Sequence, residues 1–122
     1  MNLNDALNRI IDDGIEAAKR DYDEPDQEDQ LKGAIQGFSE CRGKNPQQIK
    51  ALMLKARRDA QEAFHDAKDH YWFWRCRCAE IEWVANVLSC IMVAQDWPAI
   101  TIRSYRGMMK AAEIIGTTSN MP

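Results

Sequence analysis

PQQIKALMLKARRDAQEAFHDAKDHYWFWRCRCAEIEWVANVLSCIMVAQD, residues 46–96, decides the fold, because after Pro46 it holds neither Gly nor Pro. With no residue to stop it, and with apolar positions recurring every three or four residues, the stretch reads as helix throughout. One straight helix of that length would run about 75 Å at ~1.5 Å per residue, which is excessive for a compact single domain. Its weakest point is DAKDH (66–70), where Asp69 offers an N-cap just ahead of the aromatic run. The spacing therefore predicts an antiparallel pair over 46–66 and 70–95, with one continuous, oligomer-forming helix as the alternative. The first arm is expected to bury Ile49, Leu52, Met53, Ala56, Ala60 and Phe64. The second should bury Trp74, Cys78, Ile81, Ala85, Leu88 and Met92.

Upstream, Leu3, Leu7, Ile10, Ile11, Ile15, Ala18 and Tyr22 mark an amphipathic helix, with Asn2 or Asn4 as N-cap. The acidic run DYDEPDQED around Pro25 reads as a solvated linker over 21–30. Leu31, Ala34, Ile35 and Phe38 then define a short helix ending in CRGKNP, where Gly43 can stop one helix and Asn45-Pro46 start the next. Downstream, Trp97-Pro98 followed by β-branched residues suggests a short extended or β segment near 97–103. Ser104 can cap a last helix carrying Met108, Ala111, Ala112 and Ile115, expected to end at Gly116 and leave 117–122 as a flexible tail. The expectation is a mainly α, oligomeric single domain over 1–122.

Composition agrees with a globular chain: 122 residues, 45% hydrophobic and 29% charged, with formal net charge −3. That charge is uneven. Residues 1–40 hold eleven Asp/Glu against four Lys/Arg, net −7, and the remainder holds twelve basic against eight acidic side chains, net +4. This balance argues against a binder of long nucleic acid or of anionic membrane, but leaves room for a compact anionic ligand. The most apolar stretch, 83–94, falls short of the roughly 20 residues that span a bilayer, and the N-terminus has no signal-peptide core. A cytoplasmic protein with reduced thiols at Cys41, Cys76, Cys78 and Cys90 is the expectation.

Several chemistries lack their parts. Cys76-Arg-Cys78 has no second ligand pair for a tetrahedral metal, and residues two apart on a helix point away from each other. His65 and His70 share no helix face, no nucleophile sits beside a base in a recognisable turn, and CRGK (41–44) lacks P-loop spacing. The reading is therefore not an enzyme, with no catalytic residues, no metal and no cofactor.

What stands out is YWFWRCRCAEIEW, 71–83, which packs five of the ten aromatic residues beside two arginines. Tyr71, Trp72, Phe73 and Trp74 are consecutive, so a helix points them to all sides and some must meet another subunit, another segment or a ligand. A subunit interface uses the same residue types. So does a nucleotide site, where Trp74 or Trp83 stacks on a base and Arg supplies a fork for phosphate. Arg75, Ala79, Glu82, Asn86 and Ser89 recur at helical spacing as a polar groove, in which Asn86 can pair with an adenine edge and Glu82 with ribose hydroxyls. Alternatively Glu82 pairs with Arg75 or Arg103 within the fold. Arg103 and Arg106 gather at the start of the last helix with Lys110 nearby, where the helix dipole also favours an anion. Arg57 offers a second anion site.

In GFSECRGKNP (37–46), YWFWRCRCAEIEWVANVLS (71–89) and TIRSYRGMMKAAEIIG (101–116) the chain resembles the Thoeris anti-defence phage proteins of the first described class. These are small oligomeric sponges that sequester cyclic ADP-ribose signals in the cytoplasm of the bacterial host without cleaving them. The resemblance implies that Trp74, Asn86 and Arg103 contact the signal and that Arg57 serves a second site. It also implies two partners: a small cyclic nucleotide and further copies of the chain, as a dimer or higher homo-oligomer. The chain departs from the family in carrying Cys76 near the point where an aromatic is expected, which leaves the stacking partner open. The alternative function is a helical interaction module that docks its aromatic face, 71–90, on another protein, with the acidic N-terminal region imitating a polyanion.

Overall fold

A computed structural model of the chain describes residues 2–66, 70–95 and 105–119. Five helices follow in order: α1 (Leu3–Asp21), α2 (Glu28–Cys41), α3 (Pro46–His65), α4 (Tyr71–Gln95) and α5 (Tyr105–Ser119), with one 3-10 turn at Pro25–Gln27. Among the described residues there is no strand, and the protein is mainly α. The expected extended segment at 97–103 lies outside the described residues, as do Asp69, Arg103 and Ser104.

The long stretch is broken at the expected place. α3 closes on Asp66, whose N–H bonds back to the Glu62 carbonyl, and α4 opens at Tyr71 after His70, which has a left-handed φ of 67°. The start of α3 is secured by reciprocal capping: Asn45 Oδ1 accepts from Gln48 N at 2.8 Å and Gln48 Oε1 accepts from Asn45 N at 2.9 Å. Gly43, at φ 76°, makes the left-handed stop between α2 and α3 that a side chain would strain. Cross-helix pairs run in opposite order, Arg57 with Glu82 and Asp59 with Arg77, so α3 and α4 are antiparallel.

α4 is the centre of the molecule and packs on α1, α2, α3 and α5. Consequently it buries more than one stripe: Cys76, Arg77, Cys78, Ile81, Val84, Val87, Leu88, Cys90 and Ile91 are all nearly inaccessible. All of these but Cys76 and Arg77 join Leu7, Ile10 and Ile11 of α1, Phe38 of α2, Ile49 of α3 and Ile114 of α5 in one core. The α2–α4 crossing is close because α2 carries Gly33 and Gly37. A Cβ at Gly37 would stand 2.6 Å from the Arg77 carbonyl oxygen, and one at Gly33 would meet the Phe73 backbone.

Four expectations change. Phe64 is 65% exposed and Met92 37% exposed instead of buried, because the buried face of each helix runs through the neighbouring Ala63 and Ile91, about 100° away around the axis. In the first arm Ala63 takes the buried place expected of Phe64. The acidic linker is mostly structured: α1 extends to Asp21, Glu24 and Gln27 cap the 3-10 turn, and Glu28 and Asp29 sit in the first turn of α2, where carboxylates suit the helix dipole. Gly116 does not end α5, which continues to Ser119, since only Gly43 among the described glycines takes a left-handed φ.

Candidate functional site

A cleft of about 730 Å³ lies between α3 and α4. Its α3 wall presents Lys50 and Arg57 over Ile49 and Met53, and its α4 wall presents Asn86 and Ser89 over Ala85 and Leu88. The α3 residues share a side by helical spacing (50, 53, 57), as do Glu82, Asn86 and Ser89 on α4. Arg57 Nε donates to Glu82 Oε1 at 2.6 Å, so among the described residues Glu82 pairs with Arg57 and not with Arg75, while Arg103 lies outside them. Both members of that pair are accessible, at 50% and 35%. The backbone of α5 crosses close by, with the Gly107 Cα facing the backbone and Cβ of Asn86.

The other sequence-derived candidates do not share this cleft. Residues 82 and 83 point about 100° apart on a helix, and Trp83 accordingly lines a second cavity of about 370 Å³ with Arg106. Trp74 is turned toward the α2 side: it meets Phe73 edge-on at 5.2 Å and carries the Arg77 guanidinium 5.7 Å from its ring centre. Arg75 is exposed and lines neither cavity. Lys110, mostly buried, is committed to Asp13 at 2.6 Å and to Glu113 at 3.5 Å, tying α5 to α1. Of the predicted ligand residues, then, Arg57, Glu82 and Asn86 come together, Trp83 and Arg106 come together elsewhere, and Trp74 and Arg75 stand apart.

Two groups of residues were not anticipated. Arg77, only 4% exposed, gives Nε and Nη2 to the two Glu40 oxygens at 2.5 and 3.0 Å and Nη1 to Asp59 at 3.0 Å. Its hydrogen bond holds the Glu40 carboxyl below the ordinary carboxylate range. The signal was present: 77, 81, 84, 88 and 91 fall on one helical stripe, so a residue at 77 belongs to the core. The second group is Asp21, Tyr22 and Glu80 in the smaller cavity. Burial, with Asp21 adding to it, pushes Glu80 up to about 7. Burial and the neighbouring Cys76 push Tyr22 up to about 12. No local pattern brings 21 and 80 together.

The cysteines are packed thiols. Cys76 Sγ faces Tyr22 Oη at 4.0 Å and Cys78 Sγ faces Glu82 at 3.6 Å, on different sides of α4. Burial raises Cys78 to about 11 and Cys41 to about 12, which keeps them protonated and poor nucleophiles. Among the described residues no helix is long and apolar enough to cross a membrane. Comparison of the chain with family models, with characterised proteins and with solved structures gives no significant match.

Proposed function

We propose that the protein captures a small cyclic nucleotide of the cyclic ADP-ribose kind in the α3–α4 cleft and holds it without breaking a bond, acting as an anti-defence sponge. The observation that carries this reading is the makeup of the cleft: two cations, Lys50 and Arg57, and an amide, Asn86, stand over an apolar floor in about 730 Å³. Small-molecule sites fall in the range of about 300–1,000 Å³ and combine apolar walls with a few placed polar groups. In this reading Lys50 and Arg57 meet the pyrophosphate with charge-assisted hydrogen bonds. Asn86 offers donor and acceptor to the adenine edge. Glu82 keeps Arg57 in place and is free to accept from a ribose hydroxyl with its second oxygen. Leu54 and Met92 line the same cleft and are exposed at 49% and 37%, an apolar rim that a second copy of the chain would cover to exclude water.

The test is direct. Protein is incubated with a cyclic ADP-ribose isomer, passed through a size-exclusion filter and then heated. Depletion of the filtrate followed by release of unchanged ligand supports the reading, and Arg57→Ala or Asn86→Ala should abolish the depletion. A filtrate with undiminished ligand rejects it for that isomer.

A second reading, an interaction module, is favoured by one feature. Phe64 and Trp72 are 65% and 55% exposed at the α3–α4 tip, in ring contact with Tyr71 at 5.8 and 5.3 Å. Retention of a stoichiometric protein partner by wild type but not by Phe64→Ser, with no nucleotide bound, would favour it.

A further inference from the structure

The smaller cavity shares no lining residue with the α3–α4 cleft and has a different chemical character. Its walls include the small residues Ala17 and Ala18 of α1 and Ala79 of α4, while the Phe38 ring packs directly on Gly14. Ionisable groups stand around this space. Asp21 from α1 and Glu80 from α4 bring carboxylates, and Arg106 from α5 brings a guanidinium. Phe38 and Trp83 supply aromatic surface between them.

Among the described residues Glu80 has neither a hydrogen bond nor an ion pair. The residue is half-buried, so its carboxyl is open to the cavity and to a donor that a ligand brings. Arg106 likewise has no ion pair among the described residues and is exposed at the mouth. A bare cation entering the cavity meets Arg106, and a bare anion meets Asp21 and Glu80. A molecule bearing both charges satisfies each end.

We propose that this cavity binds a small zwitterion whose ammonium pairs with the Glu80 and Asp21 carboxylates, whose stem lies against Trp83 and whose anionic end meets Arg106. An ammonium beside the Trp83 ring also gains from the ring quadrupole. The site does not depend on nucleotide capture in the other cleft. Binding strengthens as pH rises through about 7, because Glu80 must give up its proton to pair with the ammonium. The ionisable groups facing it are Asp21 and Tyr22 from α1 and Arg106 from α5, with Cys76 beside Tyr22 on α4 itself. From α2 the cavity receives only Phe38.

The probe is δ-aminovalerate, followed by the Trp83 indole resonance at mildly alkaline pH, with n-pentylamine and valerate as single-charge controls. The expected result is a saturable shift at least about tenfold tighter for the zwitterion than for either control. Glu80→Gln and Arg106→Gln should each weaken binding at least about fivefold, Glu80→Asp should retain part of it, and Glu62→Gln, exposed on α3, should leave it unchanged. Thermal unfolding of each variant establishes that it is folded. Absence of a saturable shift, equal binding of n-pentylamine, or unchanged binding by folded Glu80→Gln overturns the proposal.

Discussion

Replacing Arg77 by Met removes the buried cation that joins α2, α3 and α4 while keeping much of its apolar length. The guanidinium is 4% exposed and donates three hydrogen bonds, two to Glu40 and one to Asp59. Without it, Glu40 keeps only its bond from Gln36 and the charge of Lys55, and Asp59 loses its guanidinium partner. Breaking a buried ion pair from one side costs about 3–5 kcal/mol. Glu40 and Asp59 are 26% and 27% exposed, so water recovers part of that loss. The expected cost is therefore about 2–4 kcal/mol, a fall in melting temperature on the order of 10 °C for a domain of this size. Urea titration followed by far-UV circular dichroism measures it, and the transition slope should be unchanged. The pH dependence has a definite sign. Glu40 is held below its ordinary range in the folded protein, so its contribution is complete above the unfolded carboxylate value and is lost as pH falls through the lowered folded value. In Arg77→Met the two carboxylates can protonate in acid, so the penalty should shrink below about pH 4. Replacing all three polar partners together, Arg77→Met with Glu40→Gln and Asp59→Asn, should recover much of the stability. A cost under about 1 kcal/mol at neutral pH, or one that is flat down to acid pH, would refute the assignment of this triad as a buried network.

Three further outcomes follow from the same geometry. Gly37→Ala should cost about 1–3 kcal/mol in thermal unfolding, because its Cβ meets the rigid Arg77 carbonyl, whereas Gly116→Ala, with open space around it in a helix, should stabilise by up to about 1 kcal/mol. Glu80 is raised to about 7, so its burial costs nothing in acid and increasingly more as pH rises. Glu80→Gln should gain on wild type by about 2 kcal/mol at mildly alkaline pH and by nothing near pH 4, read from paired urea titrations. Arg57→Ala should change stability by less than about 1 kcal/mol, as accessible ion pairs do, yet lower cyclic ADP-ribose affinity more than about tenfold by calorimetry.

The α2–α3 boundary was legible because its determinants are local. Gly43, Asn45, Pro46 and Gln48 lie within six positions and fix the α2–α3 turn through one left-handed residue and two reciprocal bonds. α3 ends at His65 and α4 begins at Tyr71, on either side of the expected break, while the cap expected there, Asp69, lies outside the described residues. Burial was harder to read wherever a helix has more than one neighbour. The stripe 74, 78, 81, 85, 88, 92 assumes that α4 faces a single partner, but four helices surround it, so Cys76, Arg77, Val84 and Val87 are buried as well. Phe64 failed in the opposite direction: the buried line of α3 follows Ile49, Ala56 and Ala63, and Phe64 sits about 100° off it.

The site was legible by residue type and illegible by grouping. Arg57, Glu82 and Asn86 were each singled out for their chemistry, but the pairing of Arg57 with Glu82 spans 25 positions and requires knowing how α3 lies on α4. The aromatic density of 71–83 suggested one ring-lined pocket. A helix of about 3.6 residues per turn distributes such a run around its axis. Trp72 accordingly goes to the exposed tip, Trp74 to the Arg77 network and Trp83 to the α1–α5 cavity. α4 thereby separates two hollows of different charge character, one with Lys50 and Arg57 and the other with Asp21 and Glu80 opposite Arg106. Because α4 is shared and rigidly packed, a ligand that shifts it to fit one hollow must alter the walls of the other. Nucleotide titrations run with and without saturating δ-aminovalerate measure that coupling. By reciprocity the factor by which the zwitterion changes nucleotide affinity must equal the factor by which the nucleotide changes zwitterion affinity. A factor of one would mean that α4 is a passive wall between independent sites.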